Sequence, residues 1–240
     1  MTSGIARKPG QTRLELAQTN VNITKSILPQ ITKYAPNAIY IIVSNPVDIL
    51  TYVFFKQSGL PANHIIGSGT VLDTSRLRAR LSEYYNINQT NVHAYVFGEH
   101  GDSSFVPWSV ANISGVPIKD CPQLITTPGM ISPALDFAEI ETYVKKSGGR
   151  VIARKGATSM LFRRRYVILQ MPAFRHRNHN DRFDLMNGEY GIDDVCLSTL
   201  NRIGSNGVSG KVNIALTDEE IGKLRRSADA LKEVIGGLNL

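Results

Sequence analysis

Asn37-Ala38-Ile39-Tyr40-Ile41-Ile42-Val43-Ser44-Asn45-Pro46 is the stretch on which the fold turns. From Ala38 to Val43 it is an unbroken apolar run of strand length, with no polar residue in alternation, so both faces of the strand must be buried. That is the pattern of a strand inside a parallel sheet covered by helices. Ser44-Asn45-Pro46 stops the run, and apolar residues resume at helical spacing from Val47 to Lys56. Upstream, Leu16, Val21, Ile23, Ile27, Leu28 and Ile31 recur at roughly helical spacing, predicting an amphipathic helix from Arg13 to about Tyr34. Downstream, the short segment His64 to Ile66 leads into the permissive turn Gly67-Ser68-Gly69 and a helix from about Val71 to Tyr84. The alternation reads as α/β.

With 240 residues and 42% hydrophobic content, the chain is large enough for one large or two modest globular domains around a buried core. No apolar run approaches the length of a membrane span, and Met1 to Gln11 is polar rather than a signal peptide. Two distant cysteines, Cys121 and Cys196, suggest neither a disulfide framework nor a cysteine-based zinc site, so no metal is expected and the cytoplasm is the default compartment. The net charge of +7 is concentrated: residues 159–184 hold six arginines against two aspartates, and the rest of the chain is nearly balanced.

Beyond the first α/β units, Val92 to Phe97 reads as a strand, Pro107 to Ile118 is mixed, and Pro122 to Pro133 is a Pro/Thr-rich loop. A helix is expected from about Ala134 to Val144 and a strand from Val195 to Leu200, with Gly204, Gly207 and Gly210 in turns. At the C-terminus, Thr217 and Glu220 form a capping box, and Ile221, Leu224, Ala228, Leu231 and Ile235 form the apolar stripe of a helix.

Chemistry concentrates around Asp73, Arg76 and Gly98-Glu99-His100-Gly101-Asp102-Ser103. Asp73 and Arg76, three apart on a helix, share a face. Such a pair is an ordinary surface ion pair, or else Arg76 grips a substrate carboxylate bidentately while Asp73 accepts an imidazole N–H from His100. A carboxylate so placed fixes the tautomer of a histidine that moves protons near neutral pH. Asn45 follows the buried strand at the end where open α/β sheets bind ligands, where it either caps the next helix or contacts cofactor and substrate. Arg7-Lys8-Pro9-Gly10-Gln11-Thr12-Arg13 is a cationic loop hinged by Pro9 and Gly10.

Arg13, Ser44-Asn45-Pro46-Val47-Asp48, the run Gly67 to Arg76, Gly98 to Ser103, and Gly188-Glu189-Tyr190-Gly191-Ile192-Asp193-Asp194 occur in one order. In that order the chain resembles the L-lactate dehydrogenases of the lactate/malate dehydrogenase family, over Met1 to about Thr158 and again from Met186 to Leu240. The resemblance implies the last part of a Rossmann-type dinucleotide-binding domain, residues 1–68, followed by an α+β substrate domain, residues 69–240. It implies an NAD-dependent interconversion of lactate and pyruvate, a 2-hydroxy and a 2-oxo acid, in a cytoplasmic homotetramer. By the same resemblance His100 takes the proton of the lactate hydroxyl, Asp73 orients it, Arg76 binds the carboxylate and Arg13 descends on a mobile loop to polarise the substrate oxygen. Asn45 contacts cofactor and substrate, Val43, Ser44 and Ser68 lie near the nicotinamide, and Thr158 lines the substrate pocket. Arg78 and His93 match positions that bind an activating sugar bisphosphate in bacterial members.

Three departures stand out. The glycine-rich βαβ start that cradles a cofactor pyrophosphate on a helix N-terminus is absent, which implies a truncated chain of impaired activity or an inactive interaction module. Arg7 stands six residues before Arg13, where malate enzymes carry Arg, so a second substrate carboxylate and malate dehydrogenase activity are the alternative specificity. Residues 159–185 replace an expected helix and strand with Phe162-Arg163-Arg164-Arg165-Tyr166 and Phe174-Arg175-His176-Arg177. That text reads either as a basic, aromatic-interleaved nucleic-acid segment or as a run of reading-frame slips, because shifted frames restore a helix face and a strand. We favour the slips, so nucleic acid is not an expected partner. The missing pyrophosphate cradle predicts little or no NAD affinity for the 240-residue chain; a fluorescence titration with NADH checks this, and ordinary tight binding would contradict it.

Overall fold

The computed structural model describes residues 1–5, 12–121, 135–155 and 178–240. Helix α1 (Arg13–Tyr34) opens with Thr12 at its N-cap, whose hydroxyl accepts the Glu15 N–H while the Glu15 carboxylate accepts the Thr12 N–H. Its Ala17, Val21 and Leu28 are buried. Strand β1 (Tyr40–Ile42) pairs in parallel with β2 (Ile65–Gly67), and α2 (Val47–Gln57) crosses between them. Every residue from Val47 to Phe54 is buried, because α2 is enclosed on all sides. Within that run Asp48 is the one charged residue.

Helix α3 (Val71–Tyr85) follows β2 and buries Leu77 and Leu81 in a second core, together with Val92, Val96, Ile113, Ile140 and Val144. A small antiparallel sheet, β3 (Val92–His93), β4 (Asn112–Ile113) and β5 (Val116–Pro117), lies against it. Helix α4 (Phe137–Lys155) contributes Ile140 and Val144. Strands β6 (Asn178–Asn187), β7 (Asp193–Gly204) and β8 (Gly207–Lys211) form an antiparallel meander that joins β2 through Gly67 opposite Phe183, giving one sheet in the order β1-β2-β6-β7-β8. Helix α5 (Asp218–Gly236) carries the expected Thr217–Glu220 capping box and buries Leu224, Ala228 and Leu231 in the same core as Leu50, Phe54 and Leu197. Each of the leucines and Phe54 contributes roughly 1.5–3 kcal/mol by leaving water. No helix among the described residues is long and apolar enough to cross a membrane.

Several elements differ from the sequence expectation for physical reasons. The strand expected over Val92 to Phe97 is a ladder only at Val92 and His93, because two α3 hydroxyls take the backbone of Val96: Thr74 accepts its N–H at 2.8 Å and Thr70 donates to its carbonyl. Helix α4 extends far past Val144, through Ser147-Gly148-Gly149. There the Ser147 hydroxyl and the Arg150 guanidinium both donate to the Tyr143 carbonyl, which supports a low-propensity turn. Strand β7 is twice the expected span, and Gly207 and Gly210 lie in β8 rather than in turns. Residues 178–187, which show little periodicity, form a strand whose ladder to β7 uses main-chain N–H and C=O groups that every non-proline residue carries whatever its side chain. The loop expected over Pro122 to Pro133, and residues 159–177 of the basic segment, lie outside the described residues.

Gly207, with φ of 87°, opens β8 packed so closely on the Ala62–His64 turn that a Cβ there would sit 1.9 Å from the Asn63 carbonyl oxygen. Gly207→Ala therefore costs stability through both the left-handed backbone and the clash, about 2–4 kcal/mol, read as a lower denaturation midpoint in urea.

Candidate active site

The loop carrying His100 is fixed at both ends by backbone pairing. Phe97 and Phe105 exchange N–H···O bonds at 2.8 and 3.0 Å, and Gly98 exchanges two with Ser198 of β7 at 3.1 and 3.0 Å. Gly98 has φ of 91°, and a Cβ on it would lie 2.7 Å from the hydroxyl of Ser227, so glycine is required by conformation and by space. Ser227, fully buried on α5, accepts the Glu99 N–H at 2.8 Å and bonds the Ser103 hydroxyl at 2.8 Å. The next N–H, that of His100, donates to both carboxyl oxygens of Asp48 at 3.2 and 3.3 Å.

So held, His100 places Nδ1 2.6 Å from Oδ2 of Asp73, while Arg76 donates from Nη1 to Oδ1 at 3.1 Å. One buried carboxylate thus serves both the imidazole and the guanidinium. Burial by itself would raise the Asp73 carboxyl, but the imidazole and the guanidinium beside it outweigh that and hold its pKa below the ordinary carboxylate value. An ionised carboxylate only accepts, so the shared proton rests on Nδ1. Asp48 is the reverse case: burial pushes it up to about 8, against the pull of His100 and with the help of the nearby Glu99.

Asn45, Asp73, Arg76 and His100 line one cleft of about 900 Å³, whose opposite wall is α4 with Tyr143, Ser147, Gly148 and Arg150. Asn45 follows β1, its carbonyl held by the Asn20 amide at 2.8 Å. Val43 and Ser44 are buried just past β1, and Ser68, just past β2, donates its N–H to the Ile42 carbonyl at 2.8 Å. Among the described residues the buried Ser44 hydroxyl has no hydrogen-bond partner, an orphaned polar group at the carboxyl ends of two parallel strands. Arg13 is the first residue of α1, and Arg7 and Thr158 lie outside the described residues. Arg78 and His93 stand apart from the cleft; Arg78 donates to the Ala94 carbonyl at 2.9 Å and stacks 4.7 Å over the Tyr95 ring, and His93 is exposed on β3.

Asp48, Ser198 and Ser227 were not among the sequence candidates. Asp48 was legible as a carboxylate inside an otherwise apolar helix; nothing local marks the two serines, whose partners are 100 or more residues away.

The raised Asp48 carboxyl carries a stability consequence. Unfolded, Asp48 releases its proton near pH 4, whereas folded it keeps it until about pH 8. Between those values the native state binds the extra proton, so stability falls as pH rises through this window and levels off above it. Asp48→Asn, which stays neutral, is expected to melt at a higher temperature than the unsubstituted chain at pH 8, with the difference shrinking toward pH 5, as followed by circular dichroism.

Residues 1–67 match the family described as lactate/malate dehydrogenase, NAD binding domain, and residues 70–238 match lactate/malate dehydrogenase, alpha/beta C-terminal domain. L-lactate dehydrogenase 1 of Clostridium acetobutylicum is 42% identical over 241 residues, covering 99% of this chain and 75% of that protein. The L-lactate dehydrogenase of Thermoanaerobacterium saccharolyticum is 41% identical over 243 residues, covering 100% and 76%. Among solved structures, a lactate dehydrogenase from a Medee basin deep-sea metagenome library superposes with a TM-score of 0.89 at 36% identity, covering 98% of this chain and 74% of that one. The minor L-lactate dehydrogenase from Enterococcus mundtii, in its ligand-bound form, gives 0.87 at 32% identity, covering 100% and 75%. With its fold, its paired matches and its Asp73–His100 cleft taken together, the chain, spanning about three quarters of these relatives, belongs to the L-lactate dehydrogenase family.

Proposed function

We propose that the cleft interconverts lactate and pyruvate, with His100 as the proton carrier. The observation that carries this reading is the Asp73 carboxylate shared between His100 Nδ1 at 2.6 Å and Arg76 at 3.1 Å on the wall of that cleft. In the direction of oxidation, His100 Nε2 takes the lactate hydroxyl proton, and the ionised Asp73 stabilises the imidazolium that forms. Arg76 pairs with the substrate carboxylate through its planar fork, which sets the face presented to the hydride. Arg13, Arg7, Asn45 and Thr158 complete the substrate contacts in this reading; Arg13 polarises the C2 oxygen and helps exclude water.

The residues present fit the nicotinamide end of NAD: the orphaned Ser44 hydroxyl, with Val43, Asn45 and Ser68, gathers polar groups at the carboxyl ends of β1 and β2. When bound, NAD supplies the hydride acceptor or donor at substrate C2. The names of the relatives support the 2-oxo monoacid as substrate over the dicarboxylic acid that Arg7 suggests. A cytoplasmic homo-oligomer, and a sugar-bisphosphate role for Arg78 and His93, belong to the same reading.

Steady-state NADH oxidation with pyruvate, run at millimolar NADH so that turnover is measurable despite weak cofactor affinity, tests it. Asp73→Asn is expected to lower kcat on the order of 10²-fold or more, because the amide no longer fixes the tautomer or stabilises the imidazolium. Arg76→Gln is expected to raise the pyruvate KM roughly 10- to 100-fold, the worth of a charge-assisted pair. A His100→Asn chain as fast as the unsubstituted one would overturn the reading.

A further inference from the structure

Asp48 has no part in the chemistry just described, yet it is the one charged residue in the buried stretch Val47–Phe54 and sits 4% exposed. Burying a carboxyl costs stability unless it is well paired. A helix-starting position favours an acid, but the neighbouring turn offers no reason for this one to be buried. What it meets is the backbone of the active-site loop: the His100 N–H lies 3.2 and 3.3 Å from its two oxygens. Asp48 belongs to α2, and His100 to a loop 52 residues further on, so the contact joins two elements that meet only in the folded molecule.

We propose that Asp48 is the positioning residue of His100: by accepting the His100 N–H it fixes the backbone from which the imidazole is aimed at Asp73. The inference rests on the reading of His100 as the proton carrier. The loop is otherwise held on the opposite side, at Gly98 by Ser198 and at Glu99 by Ser227. Asp48 grips the very peptide that carries the imidazole, so removing its carboxyl loosens the backbone from which the 2.6 Å contact to Asp73 is made. The groups facing Asp48 are His100 and Glu99, and burial keeps it protonated up to about pH 8, so at neutral pH it acts as a neutral acceptor. That keeps a full negative charge off the Asp48 carboxyl beside His100, while the ionised oxygen of Asp73 lies 2.6 Å from Nδ1. A displacement of the ring by about an ångström is enough to cost on the order of 10²-fold in rate.

Two measurements on the full chain test the proposal. Amide hydrogen exchange at His100 is expected to be slow in the unsubstituted chain and at least about tenfold faster in Asp48→Ala. Asp48→Asn, whose side-chain carbonyl still accepts the N–H, is expected to restore protection. In pyruvate reduction at millimolar NADH, high enough to offset weak cofactor affinity, Asp48→Ala is expected to lower kcat roughly 10- to 100-fold while the pyruvate KM changes less than about threefold, because Arg76 is untouched, and Asp48→Asn is expected to recover most of the rate. Asp48→Val, nearer in volume and equally without an acceptor, replaces Asp48→Ala if the latter does not fold. Unchanged His100 exchange without the carboxyl, or a KM rise matching the kcat loss, overturns the proposal. A His100→Asn chain with full turnover sinks the proton-carrier reading instead, and the exchange measurement still decides whether Asp48 holds the loop.

Discussion

Asp73 is the constraint around which the rest is arranged. Its two oxygens hold an imidazole and a guanidinium that differ in shape and in the freedom of their side chains, and neither contact tolerates much displacement. The carboxylate must therefore be buried enough for its charge to count, and ionised despite that burial. The imidazole and the guanidinium supply the second condition, since their charge and hydrogen bonds outweigh the cost of desolvation. The first comes from α3, whose opening turn is locked by Thr70 and Thr74 onto the backbone of Val96. Those bonds shorten β3, and the same bonds place Asp73 and the loop after Phe97 in register.

Two acids near one histidine could defeat each other, and their environments keep them apart. Asp73 touches the His100 ring and the Arg76 guanidinium and stays ionised, whereas Asp48 is buried at the start of α2 and meets a backbone N–H, so it keeps its proton. Environment, not residue type, separates their roles. The backbone of the loop is then clamped from β7, α5 and α2 at three successive residues, Gly98, Glu99 and His100.

Much of this was legible in the sequence. Within the apolar run ending at Val43, Tyr40–Ile42 form a parallel strand, although at the edge of a mostly antiparallel sheet with Tyr40 and Ile41 half-buried rather than covered on both faces; α1 spans the residues its periodicity marks, and the C-terminal capping box is present as written. Asp73, Arg76 and His100 meet as their motifs imply, because the Asp73–Arg76 pair is local to one helix and the histidine loop carries its own glycines. What escaped was set by distant contacts. Nothing near Ser147-Gly148-Gly149 marks a helix, since Tyr143 and Arg150 sustain it from adjacent turns. The backbone of 178–187 is a strand because β7 lies beside it, whatever its side chains favour. Ser227 and Ser198 owe their importance to partners far away in sequence, which no local pattern reveals.

That separation bears on the order in which the molecule comes together. Ser227 meets Glu99 across 128 residues and Ser103 across 124, and Thr70 meets Ser198 across another 128. Contacts of such long range close only after most of the chain is collapsed, because each carries the entropy of a large loop. The histidine loop therefore takes its final shape only with α5 and β7 in place, and any partial opening that lifts α5 from the core slackens it. Loss of catalytic geometry would precede loss of the fold, so activity is the more sensitive gauge of damage to this molecule than its helix content.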